Sequence, residues 1–151
     1  MPWINLTLRK GALNKTQQHE VMARLTSALM WWEKIPDTPA ARKVMKGWVY
    51  EVEADADYHG GRPEHEAPFY FLEVRIPAHR LSELDKRGIM HDFTQIVLDG
   101  EGTALTLEDA GRVWVTIFEI EEQDWGIGGH TDWLRAYTSA LTPEGRAGRA
   151  S

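Results

Sequence analysis

The chain has 151 residues, 23 acidic against 17 basic side chains for a net charge of −6, and no cysteine. That length suits one domain with its own core. The acidic balance argues against a nucleic-acid partner, and the missing thiols exclude disulfides and thiolate metal sites.

Pro2 directly follows Met1, and proline is small enough for the initiator methionine to be trimmed. The secondary amine left behind would be tied to a first strand over 3–8, where apolar residues alternate. An α-amino group titrates near ~8 in free peptides, and an apolar pocket lowers that value by disfavouring the charge. A neutral prolyl nitrogen would serve as a general base, or as a nucleophile toward carbonyls. A Met-Pro start without chemical purpose is the alternative reading.

Asn14 or Thr16 can cap the next helix, and Gln17 lies where a capping box with Asn14 wants it. Val21, Leu25, Ala28, Leu29 and Trp32 recur at helical spacing, and Pro36 and Pro39 are expected to end that helix before a strand over 46–52. A polar, proline-bounded loop covers 61–68 and a strand 69–76. Ser82 with Asp85 reads as the cap of a second long helix, with Leu84, Ile89, Met90, Phe93, Ile96 and Val97 as its buried stripe. Gly88 weakens it by about 1 kcal/mol relative to alanine, and Gly100 or Gly102 would stop it. A last strand over 112–120 follows. Thr131 and Asp132 could cap a short helix through Trp133, Leu134 and Tyr137, ahead of a frayed tail at 142–151. No apolar run reaches membrane-spanning length and no signal-peptide pattern leads the chain, so no membrane partner and a cytoplasmic location are expected.

Residues 51–61 and 119–129 each run from a glutamate to a Gly-Gly pair, with Asp57-Tyr58 and Asp124-Trp125 in between, at an offset of 68 residues. A single domain over 1–141, made of two strand–helix–strand half-units at about 1–61 and 68–129, is therefore expected. Two parallel βαβ units with right-handed crossovers predict an α/β (α+β) fold, a four-stranded sheet with two helices on one face. The Gly-Gly pairs read as turn-makers at positive φ, wrongly placed for a phosphate loop. Glu51 and Glu119 sit at equivalent points, which suggests structure more than chemistry. The six histidines show no ligand-like clustering, so no metal site is expected.

Met1-Pro2 leading into a strand, the βαβ half-unit, and the closing run Asp124-Trp125-Gly126-Ile127-Gly128-Gly129 together resemble the tautomerase superfamily, founded on 4-oxalocrotonate tautomerase. That closing run is similar to the family's carboxy-terminal hairpin. The doubled length resembles the fused members, malonate semialdehyde decarboxylase and cis-3-chloroacrylic acid dehalogenase. The resemblance implies a homotrimer of double βαβ chains, a small carboxylate substrate, no metal or organic cofactor, and Pro2 as the catalytic proline. It implies Arg75 and Arg80, after the second half's opening strand, as holders of the substrate carboxylate, a task that suits arginine's planar fork. It implies Arg42 at the place of an arginine that polarises the substrate, and Asp124 at that of an acid that activates water.

Each residue also has a plain reading. Arg75 alternates with Val74 and Ile76 as a sheet residue, and Asp124 can close the turn before Gly126. Arg80 is a surface charge ahead of a helix whose amides and dipole would favour an anion. The implied activity is a tautomerase, with neutral Pro2 as base on a small 2-oxo or enol carboxylic acid. The alternatives are a hydratase, dehalogenase or decarboxylase in which protonated Pro2 donates while Asp124 activates water, and a non-catalytic trimeric binding module.

Overall fold

The computed structural model describes residues 2–63 and 67–132. The helix expected through Trp133, Leu134 and Tyr137, the tail at 142–151 and the middle of the 61–68 loop lie outside the described residues. Four strands, β1 (Trp3–Arg9), β2 (Lys46–Val52), β3 (Tyr70–Pro77) and β4 (Val113–Ile120), form one sheet in the order β2-β1-β3-β4. The β1–β2 and β3–β4 pairs are parallel, and the central β1–β3 pair is antiparallel. Two long helices, α1 (Lys15–Trp32) and α3 (Glu83–Glu101), link the parallel strands, each followed by one turn of helix, α2 (Pro39–Arg42) and α4 (Leu107–Ala110).

Alternation assigns the faces. Ile4, Leu6 and Leu8 of β1 and Leu72, Val74 and Ile76 of β3 are buried in one core with Val21, Leu25 and Leu29 of α1 and Ile89, Phe93 and Val97 of α3. Burying each such side chain contributes about 1.5–3 kcal/mol. The intervening residues, among them Trp3, Asn5, Thr7, Phe71, Glu73 and Arg75, face the side without helices. This is the expected four-stranded sheet with both helices on one face.

Both long helices open on the expected capping boxes, Asn14 with Gln17 and Ser82 with Asp85. Their ends hold a correction. Pro36 and Pro39 do not end α1: Lys34 turns to φ 57°, and the Ile35 and Lys34 N–H groups close back on the Met30 and Trp31 carbonyls at 2.8 and 3.1 Å. That is a Schellman closure. Pro39 instead begins α2, where its fixed φ and missing N–H do no harm. Gly102, at φ 86°, closes α3 in the same way on Asp99 and Leu98.

The buried stripe of α3 also differs from expectation, for Leu84 is 75% and Met90 39% exposed. Leu84 stands about 140° around the helix from Ile89 at 3.6 residues per turn, so it points away from the sheet. Gly88 has a packing role: a Cβ there would run into the Trp32 ring, whose Nε1 donates to Asp92 at 2.9 Å.

The offset of 68 residues runs through these features. One-turn 3-10 segments, Ala54–Ala56 and Glu122–Asp124, precede Gly60-Gly61 and Gly128-Gly129, and all four glycines have positive φ. Each Gly-Gly pair forms a two-residue turn, closed by His59 with Arg62 and by Ile127 with His130. Glu51 and Glu119 each tie the sheet to the start of a helix, through Lys15 at 2.7 Å and Lys86 at 2.6 Å.

Candidate active site

The pairing brings the starts of β1 and β2 and the ends of β3 and β4 to one end of the sheet. Pro2 lies there, buried, one residue ahead of β1, its carbonyl accepting the Lys46 N–H at 3.4 Å. Trp3 follows on the bare face. Trp48 and Trp125 meet its ring edge-on, at 6.3 and 5.2 Å between centroids. Such aromatic pairs add roughly 0.5–1.5 kcal/mol beyond their burial. Through the buried Trp125 the closing run at 124–129 therefore packs on the residue next to Pro2.

Arg75 pairs in register with Trp3. Its guanidinium carbon lies 5.4 Å from the centroid of the Trp3 ring and 4.8 Å from that of Phe118, with Glu73 at 3.5 Å. Its Nη1 is buried without a hydrogen-bond partner. An arginine held by aromatic rings with a free donor suits a planar carboxylate. Arg80, in the turn between β3 and α3, is exposed and makes no hydrogen bond or ion pair among the described residues. The Asp124 carboxylate is likewise exposed and unpaired among the described residues, while its N–H closes a turn on the Glu121 carbonyl at 2.9 Å. Arg42 is engaged elsewhere: its Nε and Nη2 donate to the two Asp37 oxygens at 2.6 and 2.8 Å, and Nη2 also to Ser27 at 2.9 Å. The sheet end thus gathers Pro2, Arg75, Arg80 and the turn bearing Asp124, whereas the fork of Arg42 is occupied.

One residue escaped the sequence reading. Glu33 caps the carboxy end of α1, its N–H on the Leu29 carbonyl at 3.0 Å, and its Oε2 is buried with no partner. Burial pushes its carboxyl up to about 7, against the opposing pull of Arg80. The negative end of the helix dipole acts in the same direction as burial. The available signal was the repeat, which aligns Glu33 with Glu101.

Glu101 is fully engaged. Arg112 donates to its two oxygens at 2.6 and 3.1 Å, and the Tyr70 hydroxyl to one of them at 2.9 Å. Arg112 also reaches Asp109 at 3.0 Å and the Pro68 carbonyl at 2.8 Å. Burial alone would raise the Glu101 carboxyl, but hydrogen bonds from Arg112, Thr103 and Tyr70 hold it below its ordinary value. Among the described residues no cluster of three or more His, Asp or Glu side chains is placed to hold a metal, and no helix is long and apolar enough to cross a membrane.

Compared by sequence, no family model and no curated protein matches the chain. Compared by structure, it is similar to a wild-type fused 4-OT solved as an asymmetric trimer, with a TM-score of 0.72 at 18% identity over 88% of this chain and 98% of that one. A member of the cis-3-chloroacrylic acid dehalogenase (cis-CaaD) family gives 0.71 at 18% identity, over 94% of this chain and 93% of the other. A protein solved after inactivation by 2-oxo-3-pentynoate gives 0.68 at 12% identity, over 84% and 92%.

Proposed function

We propose that this chain, which has the tautomerase-superfamily fold in its fused double-βαβ form, is an isomerase that moves a proton on a small 2-oxo or enol carboxylic acid. Pro2, once Met1 is removed, is the general base. The observation that carries the reading is the buried Pro2 at a sheet end where Arg75, one register step away, keeps a donor free. Burial disfavours the protonated amine, which leaves a neutral nitrogen near physiological pH. Arg75 holds the substrate carboxylate, and Arg80 adds positive charge that draws electron density toward the carbonyl. The Pro2 nitrogen takes a proton from one carbon and returns it to another, in a pocket poor in water. That a similar protein is inactivated by a 2-oxo acid supports this substrate class.

A homotrimer belongs to the same reading. The face without helices exposes Trp48, Tyr50, Phe71, Trp114 and Phe118, a surface that favours cover by another chain, and one similar structure is a trimer. The Asp124 carboxylate beside Trp125, exposed and unpaired among the described residues, favours a second reading, hydration or decarboxylation with protonated Pro2 as the donor. The limb of the pH profile that follows the amine's own titration separates the two. A base mechanism loses activity as pH falls through the amine pKa, and a donor mechanism loses it as pH rises through that same value. The test is ketonisation of phenylenolpyruvate and 2-hydroxymuconate by protein whose chain start has been verified by intact mass. Pro2→Ala is expected to lower kcat/KM by about 100-fold or more. Full turnover by Pro2→Ala, or by protein that keeps Met1, would remove the proline from the mechanism.

A further inference from the structure

The repeat lets one chain be compared with itself. Glu33 and Glu101 close α1 and α3 at positions 68 apart, each followed by a residue at positive φ and the same pair of closing hydrogen bonds. At the second pole Glu101 takes Arg112 and the Tyr70 hydroxyl, and Arg112 takes Asp109 as well. At the first pole the matching positions hold Val44 for Arg112, Ala41 for Asp109 and Pro2 for Tyr70. None of the three side chains offers a donor, and Glu33 keeps a buried oxygen without a partner. Among the described residues, the charge acting on it is Arg80 from the β3–α3 turn. Its neighbour Lys34 acts on Asp85 at the start of α3. The tyrosine hydroxyl of one pole is thus replaced, at the other, by the residue whose nitrogen is the base.

We propose that Glu33 is a catalytic acid paired with the Pro2 nitrogen, giving its proton to the carbonyl oxygen of a 2-oxo acid while the amine takes a proton from the adjacent carbon. The inference rests on the Pro2 reading above. The C–H bond breaks and its electron pair becomes the C=C bond. The carbonyl π pair moves onto oxygen and takes the Glu33 proton, so an O–H bond forms. The amine ends protonated and Glu33 ionised. After the enol leaves, the proton passes from amine to carboxylate and both are neutral again. The pair holds one proton and no net charge before and after the step, which suits a site of low dielectric. An ordinary glutamate is ionised near neutral pH and has no proton to give, whereas burial keeps this one protonated up to about 7.

The test is deuterium exchange at C3 of phenylpyruvate, followed by proton NMR across pH, together with a nitrogen-15 titration of the Pro2 amine. The wild-type exchange profile should fall on both sides, where the pair holds two protons or none. Glu33→Gln should cut exchange at least tenfold and remove the alkaline limb while leaving the amine midpoint close to wild type, because the carboxyl is already neutral where the amine titrates. Glu33→Asp, which keeps a titrating carboxyl, should keep the alkaline limb, and it serves as the reporter should the glutamine variant fail to fold. Exchange by Glu33→Gln within twofold of wild type with both limbs intact, or loss of the alkaline limb in Glu33→Asp, would overturn the role of Glu33. If Pro2→Ala is inactive while Glu33→Gln matches wild type, Glu33 alone is excluded. If Pro2→Ala exchanges as fast as wild type, the Pro2 reading itself falls.

Discussion

The unpaired Glu33 carboxyl should make folding stability fall as pH rises through a defined window. Its ordinary value is 4.5 and its folded value about 7, because burial favours the neutral form. Below 4.5 both folded and unfolded chains hold the proton, and the group costs nothing extra. Between 4.5 and 7 the unfolded chain releases the proton first, so stability drops as pH rises, and above 7 the loss is complete. At 1.36 kcal/mol per pH unit the ceiling is about 3 kcal/mol, and partial solvent access to the side chain brings the expected loss to roughly 1.5 kcal/mol. Urea unfolding of wild type and Glu33→Gln at pH 5, 6, 7 and 8, at one fixed protein concentration, measures it. The difference between the two proteins isolates Glu33 from Glu101 and Asp99, whose lowered pKa values act in the opposite sense toward acid pH. The variant should match wild type at pH 5 and exceed it by about 1.5 kcal/mol at pH 8. Parallel curves across that range would mean the carboxyl is not held protonated, and the reasoning from its burial would fail.

Four further outcomes follow from the same contacts. Arg112→Met leaves Glu101 and Asp109 facing each other without their cation and should cost about 3 kcal/mol by urea unfolding; a loss under about 1 would show the network to be marginal. Gly88→Ala gains about 1 kcal/mol of helix propensity but forces a methyl group into the Trp32 ring, so its Tm should fall; a higher Tm would show that the two helices can move apart freely. Val44→Arg gives Glu33 the fork that Glu101 already has. It should abolish the stability loss between pH 5 and 8 and cut deuterium exchange at least tenfold, and an unchanged pH dependence would refute the equivalence of the poles. Arg75→Gln should raise KM for a carboxylate substrate roughly tenfold or more while changing kcat less, and an unchanged KM would remove Arg75 from substrate binding.

Local chemistry was legible in the chain. Asn14 with Gln17 and Ser82 with Asp85 cap helices because a short side-chain acceptor meets free amides within three residues. The alternation of Ile4, Leu6 and Leu8 fixes which face of β1 is buried, and the Gly-Gly pairs adopt the positive φ that two-residue turns need. What depends on distant partners was not legible. Nothing marks Lys34 as the residue that turns α1 off, since a lysine at φ 57° is set by the closure around it; only its alignment with Gly102 points there. Leu84 looks like a core residue by type, but its position around α3 turns it outward. Arg42 reads as a free cation until Asp37, five residues earlier, is brought against it by the turn into α2. Glu33 reads as a solvated helix end, whereas in the fold its Oε2 is buried.

The contrast between the two poles bears on why these groups stay unpaired. A fold that can supply Arg112, Asp109 and Tyr70 to Glu101 has the geometry to satisfy Glu33 at the equivalent place. It instead places Val44, Ala41 and Pro2 there. Beside the same sheet end, Arg75 keeps Nη1 and Asn5 keeps Oδ1 buried without a partner. Each such group costs on the order of 1–3 kcal/mol, a sum that a domain of ordinary stability does not carry without reason. A ligand with a carboxylate for the guanidinium and a carbonyl oxygen for the Glu33 proton would satisfy two of them together. Part of the lost stability would then be recovered on binding, which is what the proposed reading of this sheet end requires of its substrate.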